Sequence, residues 1–234
     1  MNIPKPVVPI LVFIGLAALV ILSNRPPAAP NGENMITSNA QFEDTSDAAL
    51  ALCREPLAKF DRDELLTEED KANLEKALKS YELMGLYKPA ALEPAFQAGR
   101  IHFALGRPED AELILNQAVL NGDSIMQNPD NRANTTVLEA TRLTLAEARY
   151  VRSLVFQQLG EFEKARFDAN YAVNEVPNSP NYLVARASTN LELKNVPDAI
   201  RDVRSALKLE PEHRRAIQLA KLIDSVSPPK SSSP

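Results

Sequence analysis

From about residue 92 onward, the chain alternates helical stretches of roughly a dozen residues, patterned in apolar and polar positions, with short turns. The turns read ALGRPED, QLGEFEK and LKNVPDA. Gly106 and Gly160 suit the left-handed backbone that closes a helix, and Pro108 or Pro197 can open the next one because a first-turn residue needs no amide hydrogen. The pattern therefore predicts pairs of antiparallel helices.

Small residues recur along these helices at one fixed interval. Three pairs of identical residues are 34 positions apart, namely Ala165 and Ala199, Ala172 and Ala206, and Pro177 and Pro211. Ala77 and Ala111 repeat the interval earlier in the chain. Alanine where two helices cross lets their backbones approach closely. A period of this length indicates stacked helical hairpins, an architecture that binds other proteins more often than it catalyses reactions.

These residues resemble the tetratricopeptide repeat family. The resemblance implies an all-α solenoid of helical hairpins, with units at about residues 92–125, 146–179 and 180–213 and a degenerate half-repeat before residue 92. It depends on the following residues: Gly99, Gly106, Ala111 and Ala118; Gly160, Phe162, Ala165, Ala172 and Pro177; Ala187, Ala199, Ala206 and Pro211; and Ala77, Tyr81 and Pro89. The chain departs from the family pattern at Ala95, Arg149 and Leu183, at Arg152 and Arg186 in place of leucine, and at Asn190 in place of an aromatic residue.

The repeat interval is interrupted once. Ala111 and Ala165 are 54 residues apart, so about 20 residues are added within positions 121–145. We predict a loop over residues 123–135, followed by a long helix that starts at a capping box at Thr136 and runs to Leu159. The added segment is either a tolerated surface insertion or a contact for a partner.

The amino terminus carries an apolar segment. Residues 7–23 contain no charge, and at 1.5 Å per residue they would span about 25 Å as a helix, close to the lower limit for a membrane span. We predict an uncleaved transmembrane anchor, with a cleaved signal sequence as the alternative. Residues 24–46 are predicted to be a flexible linker, residues 47–226 the repeat domain with a capping helix at 213–226, and residues 227–234 a disordered tail. The distribution of basic residues places the repeats on the extracytoplasmic side.

Charge and chemistry exclude several functional classes. Residues 24–93 carry 8 basic and 14 acidic side chains and residues 94–234 carry 17 of each, which argues against a nucleic-acid partner and against binding to anionic lipid. His102 and His213 lie in no metal-binding or catalytic motif, and the chain has no phosphate-binding glycine loop. The single Cys53 is predicted to be a buried thiol. We expect no enzymatic activity, no cofactor, no metal and no small-molecule substrate.

The expected binding surface is the concave groove that the first helices of a tetratricopeptide array form. The resemblance places nine residues there: Phe96, Arg100 and Phe103; Tyr150, Leu154 and Gln157; Val184, Ser188 and Leu191. Such a lining suits a peptide held by apolar contacts more than a charged tail. The predicted function is a membrane-tethered scaffold that binds a polypeptide as part of an envelope assembly. Two alternatives are a structural subunit that docks through its convex face and Arg214, Arg215 and Lys221, and a secreted, untethered adaptor.

Overall fold

A computed structural model describes residues 35–226. Contacts divide the chain between Ile36 and Thr37, and the second unit holds every helix described below. Residues 35–226 contain helices and no strand, which confirms the all-α class. The helices are α1 (Asn39–Asp61), α2 (Glu68–Tyr87), α3 (Leu92–Ala104), α4 (Pro108–Gln127), α5 (Thr135–Gln158), α6 (Phe162–Glu175), α7 (Pro180–Glu192), α8 (Val196–Leu209) and α9 (Arg214–Val226), with a 3₁₀ turn at Pro129–Ala133.

The predicted anchor at residues 7–23 and the predicted tail at 227–234 lie outside the described residues. Between residues 35 and 226, none of the helices combines the length and the apolar character that a membrane span requires.

Each hairpin turn begins with the same backbone motif. Gly106 and Gly160 have φ of +75° and +77°, as predicted, while Lys194 and Asp63 occupy the same position after α7 and α1 with φ of 61° and 58°. In all four turns, the following amide donates to the carbonyl five residues earlier, at 2.7–3.0 Å. This is the Schellman arrangement, which satisfies the last carbonyls of a helix and reverses the chain.

The hairpins close over small residues. The seven alanines in step with the repeat are fully buried, namely Ala77, Ala111, Ala118, Ala165, Ala172, Ala199 and Ala206. Gly99 is under a tighter constraint, because a Cβ atom there would lie 2.6 Å from Cγ of Leu115, itself fully buried. These contacts confirm that the recurring small residues mark helix crossings.

The two arginines that replace the leucine of the family pattern have buried partners. Arg152 binds Asp168 on α6, with Nε donating to Oδ2 at 2.6 Å, and Arg186 binds Asp202 on α8 in the same way at 2.8 Å. Both carboxylates are at the same step of 34 residues, and their side chains are 1% and 4% exposed. Each arginine that departs from the family pattern is therefore matched by an aspartate on the facing helix. In both hairpins, a buried ion pair replaces an apolar contact.

The helices form two layers. The first helices of successive hairpins, α1, α3, α5 and α7, contact one another in order, and α9 continues the series. Within residues 37–226, the second helices α2, α4, α6 and α8 lie farther from one another. Close packing on one side and spreading on the other curve the array, with the first helices on the inner, concave side. Ala216 and Ile223 of α9 are buried against α7 and α8, so α9 covers one side of the last hairpin.

Several boundaries differ from the sequence prediction. α1 begins at Asn39, inside the stretch assigned to the linker, because Ser38 caps it by accepting from the Gln41 amide at 3.2 Å. At the start of α2, Thr67 and Asp70 form a capping box.

The inserted segment is also more helical than predicted. α4 continues to Gln127, through part of the expected loop, and α5 begins at Thr135. Its cap is Asn134, whose side chain accepts from the Val137 amide at 3.1 Å, and not Thr136. The added turns of α5 are held against α6 by Arg142, which donates to the Glu175 carboxylate at 2.8 Å.

Candidate functional site: the concave cavity

A cavity of about 580 Å³ lies on the inner side of the array, among α5, α7 and α9. Helix α5 contributes three side chains, α7 four and α9 five, and one more comes from the turn after α1. The lining residues are Asp63, Tyr150, Leu154, Gln157, Asn181, Val184, Ala185, Ser188, Arg214, Arg215, Gln218, Leu219 and Leu222. First helices supply nearly the whole lining because they alone face the concave side.

Apolar and hydrogen-bonding side chains share the cavity wall. Leu154 and Leu219 are half-buried, and Leu222 is 49% exposed, so apolar surface faces the open side of the cavity. Ser188 and Gln157 supply polar groups close by, and the Gln157 amide already donates to the carbonyl of Ala185 at 3.3 Å. A wall of this composition can bury the apolar side chains of a ligand and bond its polar groups.

Tyr150 lines the cavity, and Tyr182, which is outside the lining, packs against it. The rings of Tyr150 on α5 and Tyr182 on α7 lie with centroids 4.6 Å apart at an angle of 33°. Burial raises the pKa of Tyr150 to about 12, and burial likewise raises the pKa of Tyr182. Both hydroxyl groups are therefore uncharged at neutral pH.

One ion pair crosses the mouth of the cavity. Arg215 on α9 binds Asp63, which lies in the turn after α1, through both guanidinium edge nitrogens; Nε donates to Oδ2 at 2.8 Å. The two residues are 152 positions apart in sequence, so this contact joins the first described hairpin to the last helix. The hydrogen bonds from Arg215 lower the pKa of Asp63. The array is thus curved enough for its two ends to meet.

A second charged cluster lies beside the cavity, on α3. Arg100 pairs with Asp61 at the end of α1, and its Nη1 lies 3.6 Å from Oε1 of Glu147 on α5. Burial raises the pKa of Glu147, and the nearby Arg100 opposes that shift. Arg100 therefore has two carboxylates of the chain as partners and is not free to bind a ligand.

Five of the nine residues predicted for the groove line the cavity together: Tyr150, Leu154, Gln157, Val184 and Ser188. The four others do not. Phe96 is 1% exposed in the core between α3, α4 and α5, and Phe103 packs edge-on against Phe60 with ring centroids 5.4 Å apart. Arg100 is held in the cluster described above, and Leu191 packs against the last core cluster with Ala187. The first unit is covered because α1 lies beside α3 as a further first helix.

The contribution of α9 and of the first turn to the cavity was not predicted from the sequence. Arg214 and Arg215 were named only for the alternative of docking through the convex face and terminal helix, whereas both line the concave cavity. Asp63 carried no signal as a single acid in an acidic stretch. The equivalent positions in the other turns are Gly106, Gly160 and Lys194, so its place at the end of a helix did not single it out.

Residues with potential for chemistry are used structurally. The side chain of His102 is 13% exposed and burial lowers its pKa. Cys53 is fully buried, as predicted, with Sγ 3.8 Å from the Tyr81 hydroxyl. Within residues 35–226, no group of three or more histidine, cysteine or acidic side chains is placed to hold a metal ion.

Comparison with known proteins agrees with the fold. Protein-family profiles and curated protein sequences give no match. A crystal structure of MamA is 16% identical and covers 69% of this chain and 85% of its own, with a TM-score of 0.53. A MamA RS-1 ArsTM double mutant is 15% identical, with coverage of 76% and 84% and a TM-score of 0.52. A tetratricopeptide repeat protein from Parabacteroides merdae is 19% identical, with coverage of 76% and 59% and a TM-score of 0.48.

At these identities, the likeness to the two MamA structures shows the fold alone. Together with the 34-residue step and the hairpin geometry, it defines the class of protein as a helical-hairpin solenoid of the tetratricopeptide type.

Proposed function

We propose that this protein is a scaffold that binds a segment of another polypeptide in its concave cavity. The observation that carries the proposal is the cavity itself, a volume of about 580 Å³ among three first helices with exposed leucine and amide side chains on its wall. Each repeat of a helical array adds side chains to the concave surface, which is the extended binding surface of such proteins. The cavity is therefore the part of the fold best suited to recognition.

The chemistry of the wall favours a polypeptide. Leu154, Leu219 and Leu222 offer apolar contacts, and Gln157, Ser188 and Gln218 of the same lining offer hydrogen-bonding groups. An extended or helical peptide presents both apolar side chains and polar backbone or side-chain groups. A polypeptide would therefore satisfy both kinds of surface at once.

Two further parts of the proposal depend on sequence only. The apolar residues 7–23 would anchor the chain in a membrane, and the linker would hold the repeats clear of the bilayer. The basic residues that flank this segment favour the extracytoplasmic side for the repeats. The role in an envelope assembly is proposed from the combination of a membrane anchor with a repeat domain on that side.

Paired substitutions test the binding surface. Leu154→Arg places a charge and extra length in the cavity, so loss of the bound partner is expected in affinity purification of the full chain. Leu113→Arg is the matched control, because Leu113 lies on α4 of the outer layer and its side chain is 60% exposed. Loss of the partner in the Leu113 variant, with binding retained in the Leu154 variant, would refute the proposal.

The anchor is tested separately. We expect the full chain to remain in the membrane pellet after alkaline carbonate extraction, with an intact mass that includes residues 1–23. A mature protein that starts after Ser23 and is released by carbonate would instead identify the untethered adaptor.

One observation favours a second candidate function, docking through the outer layer. Phe167 on α6 is 68% exposed, and Leu113 and Leu120 on α4 are 60% and 63% exposed. Exposed aromatic residues beside clefts are typical of interface anchors. Under this alternative, Phe167→Ala would abolish assembly of the complex and Leu154→Arg would not affect it.

A further inference from the structure

We infer that the paired arginines of α9 form a carboxylate-binding subsite of the concave cavity, occupied in the free protein by Asp63 of its own chain. The inference depends on the proposed function and specifies the partner: a polypeptide segment with an aspartate or glutamate next to apolar residues. Such a ligand would replace Asp63 on Arg215 and place its apolar side chains on the cavity wall.

The backbone position of Asp63 supports this role. It is the left-handed residue after α1, with φ of 58°, where α3 and α5 have Gly106 and Gly160 and α7 has Lys194. Glycine adopts this conformation without strain, and aspartate tolerates it at some cost. The turn therefore does not require aspartate, and the carboxylate makes one contact that glycine cannot, the pair with Arg215.

The charges around Arg215 are complementary to an acidic ligand. Arg214 is exposed, lines the same cavity and forms no ion pair with another described residue. Asp63 is the only acidic side chain in the lining, so its departure leaves two guanidinium groups and no carboxylate in the lining itself. Asp61, which lies outside the lining, still acts on Arg215 electrostatically. Arginine binds carboxylates through two parallel hydrogen bonds, which is the geometry that Asp63 shows. Arg100, by contrast, keeps a second carboxylate when one leaves.

Replacement of Asp63 by a ligand carboxylate on Arg215 costs little free energy. The side chains of Asp63 and Arg215 are 40% and 33% exposed, and ion pairs in such positions contribute little to stability. The ligand must therefore overcome a weak internal competitor, which lowers its apparent affinity by about two- to five-fold.

Apolar contacts next to Arg215 define the rest of the ligand. Leu219 and Leu222 follow Arg215 by one and two turns of α9, and Leu219 is half-buried while Leu222 is 49% exposed. Residues four and seven positions apart on a helix share a face. A ligand whose acidic residue binds Arg215 therefore has apolar surface next to it, provided by Leu219 and Leu222 toward the carboxyl end of α9.

The test uses random twelve-residue peptides displayed on phage and selected against the full chain in detergent micelles. Peptides that bind the cavity are defined as those lost on the Leu154→Arg variant. We expect these peptides to be enriched in Asp or Glu beside apolar residues. Their affinity should fall about ten-fold on Arg215→Gln and rise about two- to five-fold on Asp63→Asn, which keeps the left-handed turn but lacks the charge. A peptide with its acid changed to the amide should not respond to Arg215→Gln.

The outcomes separate the two proposals. Two results would overturn the carboxylate subsite and leave the proposed polypeptide scaffold intact. The first is that the peptides that depend on Leu154 lack an acidic residue. The second is that acidic peptides bind the Arg215→Gln variant with unchanged affinity. An amide peptide that weakens as much as its acidic parent would show that Arg215→Gln disturbs α9 as a whole, and this also overturns the subsite. If no selected peptide depends on Leu154, both proposals are wrong.

Discussion

The buried pair of Arg186 and Asp202 gives the most specific prediction about stability. Arg186→Leu installs the leucine that the family pattern expects, yet we predict a less stable protein. The Asp202 side chain is 4% exposed, and among the described residues Arg186 is its one hydrogen-bond and ion-pair partner. Leaving one buried charge without its partner costs roughly 3–5 kcal/mol. Arg186 is itself 20% exposed, so some water reaches the site, and we expect about 3 kcal/mol.

The equivalent change in the preceding repeat should cost less. Arg152→Leu leaves Asp168 with a second arginine, because Nη1 of Arg149 lies 3.3 Å from its Oδ1. We expect a loss of free energy of unfolding about 1–2 kcal/mol smaller than that for Arg186→Leu. The double variant Arg186→Leu, Asp202→Leu removes both charges and should recover most of the loss, since an apolar pair of similar size can replace a buried ion pair.

Urea unfolding followed by circular dichroism measures these differences. With a denaturant slope of about 2 kcal/mol/M, a loss of 3 kcal/mol lowers the midpoint by about 1.5 M. Two results would refute the reasoning: an Arg186→Leu variant as stable as the parent, or an Arg152→Leu variant that loses as much as Arg186→Leu does.

Two further predictions concern packing and pH. Gly99→Ala should lower the free energy of unfolding by about 1–2 kcal/mol, because the new Cβ would overlap Leu115. Gly85→Ala is the control: nothing lies within 4 Å of the new Cβ, so this change should raise the free energy of unfolding by up to about 1 kcal/mol. Equal effects of the two changes in thermal unfolding would contradict the helix crossing assigned to Gly99. Hydrogen bonds from Lys59 lower the pKa of Asp70 to about 2, so the folded state gains stability above the ordinary aspartate pKa of about 4 and loses it as the pH falls toward 2. Between pH 5 and pH 3, the unfolding midpoint should fall less for Asp70→Asn than for the parent protein. An equal fall in the two proteins would show that the pair of Lys59 and Asp70 is not formed.

The fold could be predicted from the sequence because the crossings of helices tolerate few residue types. Ala165 and Ala199 are fully buried in equivalent places, and a larger side chain at either would separate the two helices. Gly106 and Gly160 likewise have the positive φ that glycine adopts most readily. Constraints of this kind act on each repeat separately, so they recur at the repeat interval and are visible in the sequence.

The cavity could be predicted only in part, because it depends on contacts between distant repeats. Tyr150 and Val184 have equivalent positions in neighbouring units, and the repeat pattern placed them together. Phe96 has the same position in the first unit, but α1 adds a further first helix beside α3, and the residue is buried in the core. The pairing of Asp63 with Arg215 depends on the curvature of the whole array, which no local pattern encodes.

Site-specific photocrosslinking in intact cells tests the central claim, that a polypeptide occupies the concave cavity. A benzoylphenylalanine residue replaces Gln218, an exposed residue of the cavity lining on α9, and in a matched variant it replaces Phe167 on the outer layer. After irradiation, we predict that the Gln218 variant gives an adduct with a defined partner peptide, mapped by mass spectrometry, and that the adduct is lost when Leu154→Arg is added. An adduct formed from the Phe167 position alone, or one at Gln218 that survives Leu154→Arg, would contradict the account.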